Sequence, residues 1–466
     1  MKISFVTSLK QDSQVIQAVV DRLLASGVDF SGFLENQIPT EFDDSMLQNQ
    51  LLLIDTGTLA KLTPKTLAKL ERYALTHYIY CYDYMGNDLN NRIMVNSIAE
   101  VSVNGALAMS GVTGGELPQQ SIETTLAFID RYCRKYLETD GIQFNEFTFH
   151  CLRALEITSG QNMATHLKCL FELQNDDIIP PHHDALGVWA YGVTYFQLTG
   201  ERRFADSMLK ILDNTMKLRP RTPEGIMAGV GRIDDPLNLR GEYPGYEPCC
   251  CCRRTVVYNE MLHFHGAVFA AAAAYSGKMA YFDEAILLMR YLRDVHTDPA
   301  DGLLSHYSFQ GIRRGSKWGR GIAHILWGMD LMLQFFPDMP KNYRNEILCF
   351  FNRIGESLLR YQMRSGLWHN VINVETSTPE TSAAVCFAAV YGRLINCGLL
   401  PKTKYQEMVA RATEAILRRC WRGGFAENCM GTGFADSEYY YMKRGHNFLF
   451  NGQLALALNE YRKMNQ

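Results

Sequence analysis

The sequence predicts a mainly α-helical protein, an (α/α)6 toroid built from six helical hairpins and preceded by a small α/β domain. Helical patterning with a recurring hairpin tail runs from about Ser121 to the C-terminus. Before that point, short apolar and β-branched runs alternate with helical spacing, as in a layered α/β domain. Units that recur at tens of residues indicate a repeat architecture, and about 350 residues of such hairpins correspond to about six of them.

The first part of the chain, predicted as a domain over residues 1–112, has the alternation expected of a parallel sheet. Helical spacing occurs in two stretches, and Thr63-Pro64 occupies the cap and first-turn positions of the second. The strands are predicted at Ile3–Val6, Leu51–Ile54, Ile79–Tyr82 and within Arg92–Val103, and the helices at Gln14–Ala25 and Thr63–Thr76.

The remainder, predicted as a second domain over residues 113–466, repeats one helix-ending pattern. Each copy has the end of a helix, a glycine, a short link, an aromatic residue and the next helix: Tyr195–Phe204, Tyr275–Phe282 and Ile395–Tyr405. Glycine ends a helix by accepting the left-handed conformation, and we expect the aromatic residue to anchor the following helix.

Composition narrows the classes of function. The 466 residues are 47% hydrophobic and 20% charged, with a formal net charge of −3, which is typical of a globular protein with a large core. Without a basic tract or an apolar run of about 18 residues, neither nucleic acid nor a membrane is the expected partner. The 13 cysteines are an odd number, and the N-terminus has no signal-peptide pattern, so we expect reduced thiols and a cytoplasmic location.

Carboxylates occur at two predicted helix starts. His183 and Asp184 precede an apolar helix, and Asn259 and Glu260 begin another. A carboxylate in the first turn is also favoured by the helix dipole alone, so a purely structural role is open for each. The run Cys249–Cys252 lacks the spacing of a structural zinc site.

Aromatic, basic and histidine side chains occur at later loop-to-helix junctions. His306 is followed by Trp318, Arg320 and His324. Aromatic rings stack on the apolar face of a sugar, and an Arg side chain pairs bidentately with a carboxylate. These residues predict a site for an anionic sugar. Further candidates are Trp368 and His369 in Gly366–His369, and the helix start Glu380–Ser382.

In order and spacing these segments resemble the unsaturated uronyl hydrolases, glycoside hydrolase families 88 and 105. The resemblance covers about Asp184 to Glu460. It implies an (α/α)6 toroid, with Asp184 as one of two active-site carboxylates and the general acid/base at Asn259 or Glu260. The substrate-binding residues that it implies are His183, His306, Trp318, Arg320, His324, Trp368 and His369.

The chemistry implied by the resemblance is removal of a 4,5-unsaturated uronic acid from the oligosaccharides that polysaccharide lyases leave. A carboxylic acid protonates C4, water adds at C5, and the hemiketal opens to release the aglycone. Burial and the second carboxylate are expected to keep the acid, for which we favour Glu260, protonated near neutral pH. No metal or organic cofactor is expected. At position 324 the family has a second Trp where this chain has His, which leaves the identity of the leaving sugar open.

Two other classes of function stay open. One is a hydrolase of intact uronides or furanosides on the same toroid, which uses either Glu260 or one of Cys249–Cys252. In the second case the cysteine would act beside zinc with His263, His265 and Glu260. The other is a non-catalytic sugar-binding protein, which follows if Asn259 occupies the acid position. The segment Leu51–Ala74 also resembles the glutamine-amidotransferase-like accessory domain of some glycosidases, with an unrelated α/β domain as the alternative. The polysaccharide and the oligomeric state are not predicted.

Overall fold

The fold is described from a computed structural model of the chain. It describes residues 2–6, 29–34, 51–55, 78–82, 122–138, 146–172, 174, 183–219, 221–227, 256–309, 311–375, 377, 379–419, 426–427, 446–447 and 451–466. The chain divides into two compact units. One comprises Met1–Phe128, Ile416–Asn428 and Gly445–Asn447, and the other comprises Ile129–Ala415, Cys429–Arg444 and Phe448–Gln466.

The first unit contains a four-stranded parallel sheet. Its strands are β1 (Lys2–Val6), β2 (Asp29–Leu34), β3 (Leu51–Asp55) and β4 (Tyr78–Tyr82), in the order β2-β1-β3-β4. In the register, Ile3 pairs with Leu51 and Leu51 pairs with Tyr78. The strands predicted at Ile3–Val6, Leu51–Ile54 and Ile79–Tyr82 are therefore confirmed. The predicted helices of this domain, the strands within Arg92–Val103 and the domain boundary near residue 112 lie outside the described residues.

The helices, all amphipathic or apolar as the sequence patterning predicts, follow one another with short strands in the loops. They are α1 (Ile122–Glu138), α2 (Glu146–Ser159), α3 (Met163–Glu172), α4 (His183–Val188), α5 (Tyr191–Thr199), α6 (Arg203–Leu218), α7 (Ala267–Ser276), α8 (Met279–Tyr291), α9 (Gly319–Phe335), α10 (Lys341–Tyr361), α11 (Thr381–Asn396), α12 (Lys402–Arg419) and α13 (Asn451–Met464). A 3₁₀ turn (Gly160–Asn162) follows α2, and π-helical turns precede α7 (Leu262–Gly266) and follow α8 (Leu292–His296). The loop strands are β5 (Val256–Tyr258), β6 (Tyr307–Phe309), β7 (Ile312–Arg314), β8 (Trp368–His369), β9 (Pro379–Glu380), β10 (Ala426–Glu427) and β11 (His446–Asn447).

The inner helices of the second unit form a closed ring. Helix α2 packs against α4, α4 packs against the π-helical turn before α7, and this turn packs against α9. Helix α9 packs against α11, α11 against α13, and α13 against α2 again. Helices α3, α6, α8 and α10 pack on the outside of neighbouring inner helices. This is the (α/α)6 toroid that the sequence predicts.

Burial separates the inner helices from the outer ones. Helix α7 is buried from Ala267 to Ala273, and α9 is buried from Gly319 to Leu333. A helix that is apolar on every face is stable only when other elements surround it. The inner helices also approach one another closely. A Cβ atom on Gly328 would lie 2.5 Å from the backbone of Leu262, so only glycine fits at this contact.

Short turns occupy one end of the ring and longer loops the other. Gly200 and Gly277 end inner helices with φ values of 77° and 72°, which confirms the predicted left-handed ends. The aromatic residues that follow, Phe204 and Phe282 among them, are buried. Inner helices joined through antiparallel outer helices run in one direction, so their N-termini and the longer loops meet at the opposite end. None of the described helices combines the length and apolarity needed to span a membrane.

Candidate active site

The candidate site lies at the N-terminal ends of the inner helices, where a small antiparallel sheet brings two loops together. Strand β5 pairs with β6 so that Tyr258 faces Tyr307. The backbone N–H of Asn259 then donates to the carbonyl of His306, at 3.1 Å. This pairing places Glu260, the next residue along the chain, beside the His306 side chain.

The side chains of Glu260 and His306 are joined by a hydrogen bond. Nε2 of His306 lies 2.9 and 3.2 Å from the two carboxylate oxygens. The Glu260 side chain keeps 17% of its exposure, whereas that of His306 keeps 2%. Glu260 is therefore the accessible member of the pair.

The pKa of Glu260 is low for a buried carboxyl. Burial raises it, but the charge and hydrogen bond of His306, with the charge of His324, outweigh burial and hold the pKa at about 2. A carboxyl with this pKa is ionised at neutral pH. The pKa of Glu260 is therefore shifted opposite to the expectation that burial keeps this carboxyl protonated, because the charge and hydrogen bond of His306 outweigh burial.

Asn259 belongs to a separate, fully buried chain of hydrogen bonds. Its Oδ1 lies 2.7 Å from Nδ1 of His296, and Nε2 of His296 lies 3.0 Å from Oγ of Ser308. The hydroxyl of Tyr291 lies 2.9 Å from the same Oγ. Burial, followed by the charge of His306, lowers the pKa of His296 to about 3, so this imidazole is neutral at neutral pH.

Trp318 and Arg320 meet the pair from the start of α9. The ring of Trp318 lies 4.8 Å from that of His306, in an edge-to-face arrangement. The guanidinium of Arg320 lies 4.4 Å from the centre of the Trp318 ring, within the range of a cation–π contact. Nε1 of Trp318 donates to Oδ1 of Asn370, at 3.0 Å. The indole is thus fixed on both sides, at 1% exposure.

His324 points into the ring, one turn further along α9. Its Nδ1 lies 3.0 Å from Nδ1 of His263, and the His263 ring stacks on Trp327 at 3.8 Å. The ring of His150 lies 4.4 Å from Trp327. Burial, then the charge of Arg320, holds the pKa of His150 well below its usual value. The position where the family has a second Trp is therefore part of a buried cluster of histidines.

Trp368 and His369 lie on strand β8, which pairs with β9 so that Trp368 faces Glu380. The Trp368 indole is fully buried, donates from Nε1 to the carbonyl of Leu358 at 2.8 Å, and packs against Phe387. Nδ1 of His369 hydrogen-bonds the carbonyl of Ser377, at 2.5 Å. These contacts give Trp368 a packing role, and its predicted role as a pocket wall stays a prediction.

His183 and Asp184 begin helix α4, but their side chains lie outside the described residues. The helix itself packs closely beside the site, because a Cβ atom on Gly187 would lie 2.6 Å from the ring of Phe264 in the π-helical turn. Asp184 therefore starts the inner helix next to the one that follows Glu260. The separation of the two carboxylates stays a prediction.

The cysteine run Cys249–Cys252 also lies outside the described residues. His263 and His265, its proposed partners at zinc, are both buried, and His263 contacts His324 and Trp327. Within the described ranges, no three His, Cys, Asp or Glu side chains are grouped as metal ligands.

Sequence reasoning missed the buried residues that support the site. His296, Ser308 and Tyr291 hold Asn259, and Asn370 holds Trp318. Ser308 lies on β6, two residues after His306, which immediately precedes this strand, and residues two apart in extended chain share a face. This period-two spacing is the one sequence signal for its role, since Tyr291 and His296 come from the end of an outer helix.

The closed ring with polar and aromatic side chains gathered at one end is the architecture of an (α/α)6 glycosidase. The model of the family described as Glycosyl Hydrolase Family 88 matches residues 149–465, which is more than half of the chain. The chain therefore belongs to this family and is a glycoside hydrolase. A comparison with curated protein sequences found no match.

Solved structures agree on the fold. A possible member of family GH105 from Klebsiella pneumoniae is similar with a TM-score of 0.62 and 16% identity, covering 75% of this chain and 97% of its own. A family 105 glycoside hydrolase of C. acetobutylicum gives 0.59 and 17%, with coverage of 72% and 99%. The unsaturated glucuronyl hydrolase of Bacillus sp. GL1 gives 0.51 and 17%, with coverage of 73% and 95%. At these identities the likeness establishes the fold.

Proposed function

We propose that this glycoside hydrolase removes a 4,5-unsaturated uronic acid from the non-reducing end of an oligosaccharide by hydrating its double bond. Two similar structures are described as an unsaturated glucuronyl hydrolase specific for heparin and as one responsible for the degradation of glycosaminoglycan. The proposal includes a cytoplasmic location, where such an enzyme would process imported oligosaccharides.

The observation that supports the proposal most directly is the hydrogen-bonded pair of Glu260 and His306 beside Trp318 and Arg320. The pair holds a carboxylate and an imidazole within hydrogen-bond distance, at 2.9 Å. The Arg320 guanidinium, 4.4 Å from the centre of the Trp318 ring, adds a positive charge beside the pair, as binding of an anionic sugar requires.

In this proposal the proton donor is the hydrogen-bonded pair of Glu260 and His306, not an isolated carboxyl. Glu260 takes a proton from His306 within their hydrogen bond and delivers it to C4 of the double bond. Water adds at C5 and gives a proton to Glu260, which passes it back to His306, with Asp184 as the partner carboxylate. The hemiketal at C5 then opens, and the aglycone leaves with a hydrogen on its oxygen. Arg320 and His306 bind the uronate carboxylate, and His183, Trp318, His324, Trp368 and His369 complete the pocket.

The test is incubation of the protein with an unsaturated disaccharide, followed by ultraviolet absorbance of the double bond and by chromatography of the released sugar. Loss of the absorbance together with release of the aglycone is the expected result. Release of a sugar from an intact uronide, with the double bond of the unsaturated substrate untouched, would show ordinary hydrolysis instead. Binding without either change would show a sugar-binding protein.

The thiol-based alternative is separated by variants of the cysteine run. Replacing any one of Cys249–Cys252 by Ser leaves turnover largely intact under the proposal, because no thiol takes part in hydration. A cysteine variant without activity, beside an active Glu260→Gln variant, would assign the chemistry to the thiol.

A further inference from the structure

Asn259 is next in sequence to Glu260, which pairs with His306. It is the first member of a buried chain of hydrogen bonds that contains no charged group. Its side chain is fully buried, like those of His296 and Ser308. The chain runs from Asn259 through His296 and Ser308 to Tyr291, with heavy-atom separations of 2.7, 3.0 and 2.9 Å. Each separation is that of a well-formed hydrogen bond.

The direction of this chain follows from counting protons. A neutral imidazole has one N–H, and an amide oxygen only accepts, so Nδ1 of His296 donates to Oδ1 of Asn259. Nε2 then accepts from the hydroxyl of Ser308, and Ser308 in turn accepts from Tyr291. The reversed chain would leave the Tyr291 hydroxyl hydrogen without an acceptor among the described residues. The order that gives every proton an acceptor therefore orients the Asn259 amide, with its nitrogen turned away from His296.

That nitrogen faces the candidate site. A Cβ atom on Gly321 would lie 3.3 Å from Nδ2 of Asn259, 3.2 Å from the ring of Trp318 and 3.4 Å from the ring of His306, so this nitrogen lies among the side chains of the candidate site. Nδ2 is buried and has no hydrogen-bond partner among the described residues. A buried donor left unpaired is costly, and a bound acceptor removes that cost.

We propose that Asn259 is a substrate-binding residue that donates from Nδ2 to an oxygen of the uronate sugar, and that His296 is a positioning residue that fixes this orientation. The inference rests on the proposed function, whose site it refines. A neutral amide can donate a hydrogen bond to the sugar, whereas an ionised carboxylate at this position could only accept one. Asn259 thus binds the sugar, whereas Glu260 and His306 transfer the proton.

The kinetic test compares KM and kcat on an unsaturated disaccharide. Asn259→Ala should raise KM by roughly ten- to a hundred-fold, the worth of one hydrogen bond to a charged acceptor, and leave kcat within a few-fold. The matched control is Asn396→Ala, since Asn396 donates to Glu460 at 2.8 Å at the C-terminal end of α11, away from the site. Equal KM values for the two variants would overturn the donor role.

The positioning role is tested by two substitutions at His296. His296→Phe keeps a ring but removes both hydrogen bonds, and it should raise KM without the proton-transfer defect of a catalytic variant. His296→Asn restores an amide nitrogen near the position of Nδ1 and should recover much of the lost affinity. If KM changes only in parallel with thermal stability, and His296→Asn recovers none of the lost affinity, then His296 has only a structural role.

Nitrogen NMR of the histidine rings tests the chain without substrate. The expected result is a protonated Nδ1 and an unprotonated Nε2 on His296 from pH 5 to pH 9. A proton on Nε2 would reverse the chain, turn Oδ1 of Asn259 toward the site and overturn the inference. If the wild-type protein leaves the unsaturated disaccharide unchanged, the proposed function fails, and this measurement still decides the orientation of Asn259.

Discussion

Two neighbouring residues, Asn259 and Glu260, each face a histidine, and the two pairs differ in charge and in access. The Glu260 carboxylate faces His306 and keeps 17% of its side-chain exposure. The Asn259 amide faces His296 with no exposure at either residue. We call the partly exposed pair of Glu260 and His306 the accessible pair, and the buried pair of Asn259 and His296 the sealed pair. The Nδ2 atom of Asn259 borders the same site as the accessible pair.

Burial disfavours the charged form of a side chain in both pairs, yet Glu260 stays ionised at neutral pH whereas His296 is neutral. Burial raises the pKa of Glu260, but His306 overcomes it and holds the pKa at about 2. At His296 burial prevails and lowers the pKa to about 3, since its partner is an uncharged amide. A buried charge persists only where an opposite charge meets it. The sealed pair is therefore suited to orientation and the accessible pair to proton transfer.

The largest expected effect is that of Glu260→Gln. This change keeps the shape and one acceptor for His306 but removes the group that carries the proton. Turnover of the unsaturated disaccharide should fall by roughly 10²–10⁴, the usual worth of a positioned acid–base group, with KM little changed. Steady-state kinetics measures both. A variant with normal kcat would place the proton transfer elsewhere and remove the functional difference between the pairs.

The sealed pair should limit stability in acid. The pKa of His296 is lowered from 6.5 to about 3 on folding, so the unfolded chain binds more protons between these values. Stability then falls as pH decreases through this window, by about 1.4 kcal/mol per pH unit, or about 3 kcal/mol by pH 4.5. Urea unfolding of wild-type protein and His296→Asn at pH 7 and pH 4.5 should show the variant losing about 3 kcal/mol less. Equal losses in the two proteins would mean that His296 is charged in the fold.

Glu260 affects stability at lower pH than His296 does, so the contributions of the two pairs can be measured separately. Its pKa is lowered from 4.5 to about 2, so its contribution is complete above pH 4.5 and is lost only as pH falls below that value. Glu260→Gln should therefore leave the slope between pH 7 and pH 4.5 unchanged. This variant is the control for the titration of His296.

Both members of the accessible pair were candidates from the sequence, although their contact was not predicted, whereas only Asn259 of the sealed pair was a candidate. Glu260, His306, Trp318 and Arg320 stand at loop-to-helix junctions, and polar or aromatic side chains at such positions are a signal that sequence alone carries. The protonation state of Glu260 was predicted wrongly, because it depends on which side chain of the paired segment lies against this carboxyl. His306 is 46 residues away, and only the register of β5 with β6 reveals that contact.

The fold likewise has features that the sequence predicts and features that it does not. The hairpin tails predicted the toroid, since a glycine helix end followed by an aromatic residue reflects local conformational preference. The chain of Asn259, His296, Ser308 and Tyr291 depends on a π-helical turn after α8 that reaches His296. Local patterning does not encode such a turn. Packing against neighbouring elements selects it.

A smaller effect is expected where the two pairs meet at Gly321. A Cβ atom there would lie 3.2–3.4 Å from Trp318, Asn259 and His306, so Gly321→Ala requires each to move by a few tenths of an ångström. We expect about 1–3 kcal/mol of lost stability from overpacking, partly offset by better helix propensity, and about a tenfold rise in KM. Gly160→Ala is the control, because a Cβ atom there meets nothing within 4 Å. An unchanged KM in Gly321→Ala would show that the space beside the pairs is not used by substrate.

The smallest effect on activity is expected from Ser308→Ala, at the outer part of the sealed chain. Nε2 of His296 and the Tyr291 hydroxyl both lose their partner, at 3.0 and 2.9 Å in the wild-type protein. Stability should fall by about 1–3 kcal/mol, the cost of buried groups left unpaired. KM should change by less than about threefold, since Nδ1 of His296 still donates to Asn259 and a hydrogen bond of this kind holds the amide on its own. Thermal denaturation and steady-state kinetics on the same preparation measure the two quantities. A rise in KM as large as that of His296→Phe would mean that the Asn259 orientation depends on the whole chain back to Tyr291, not on His296 alone.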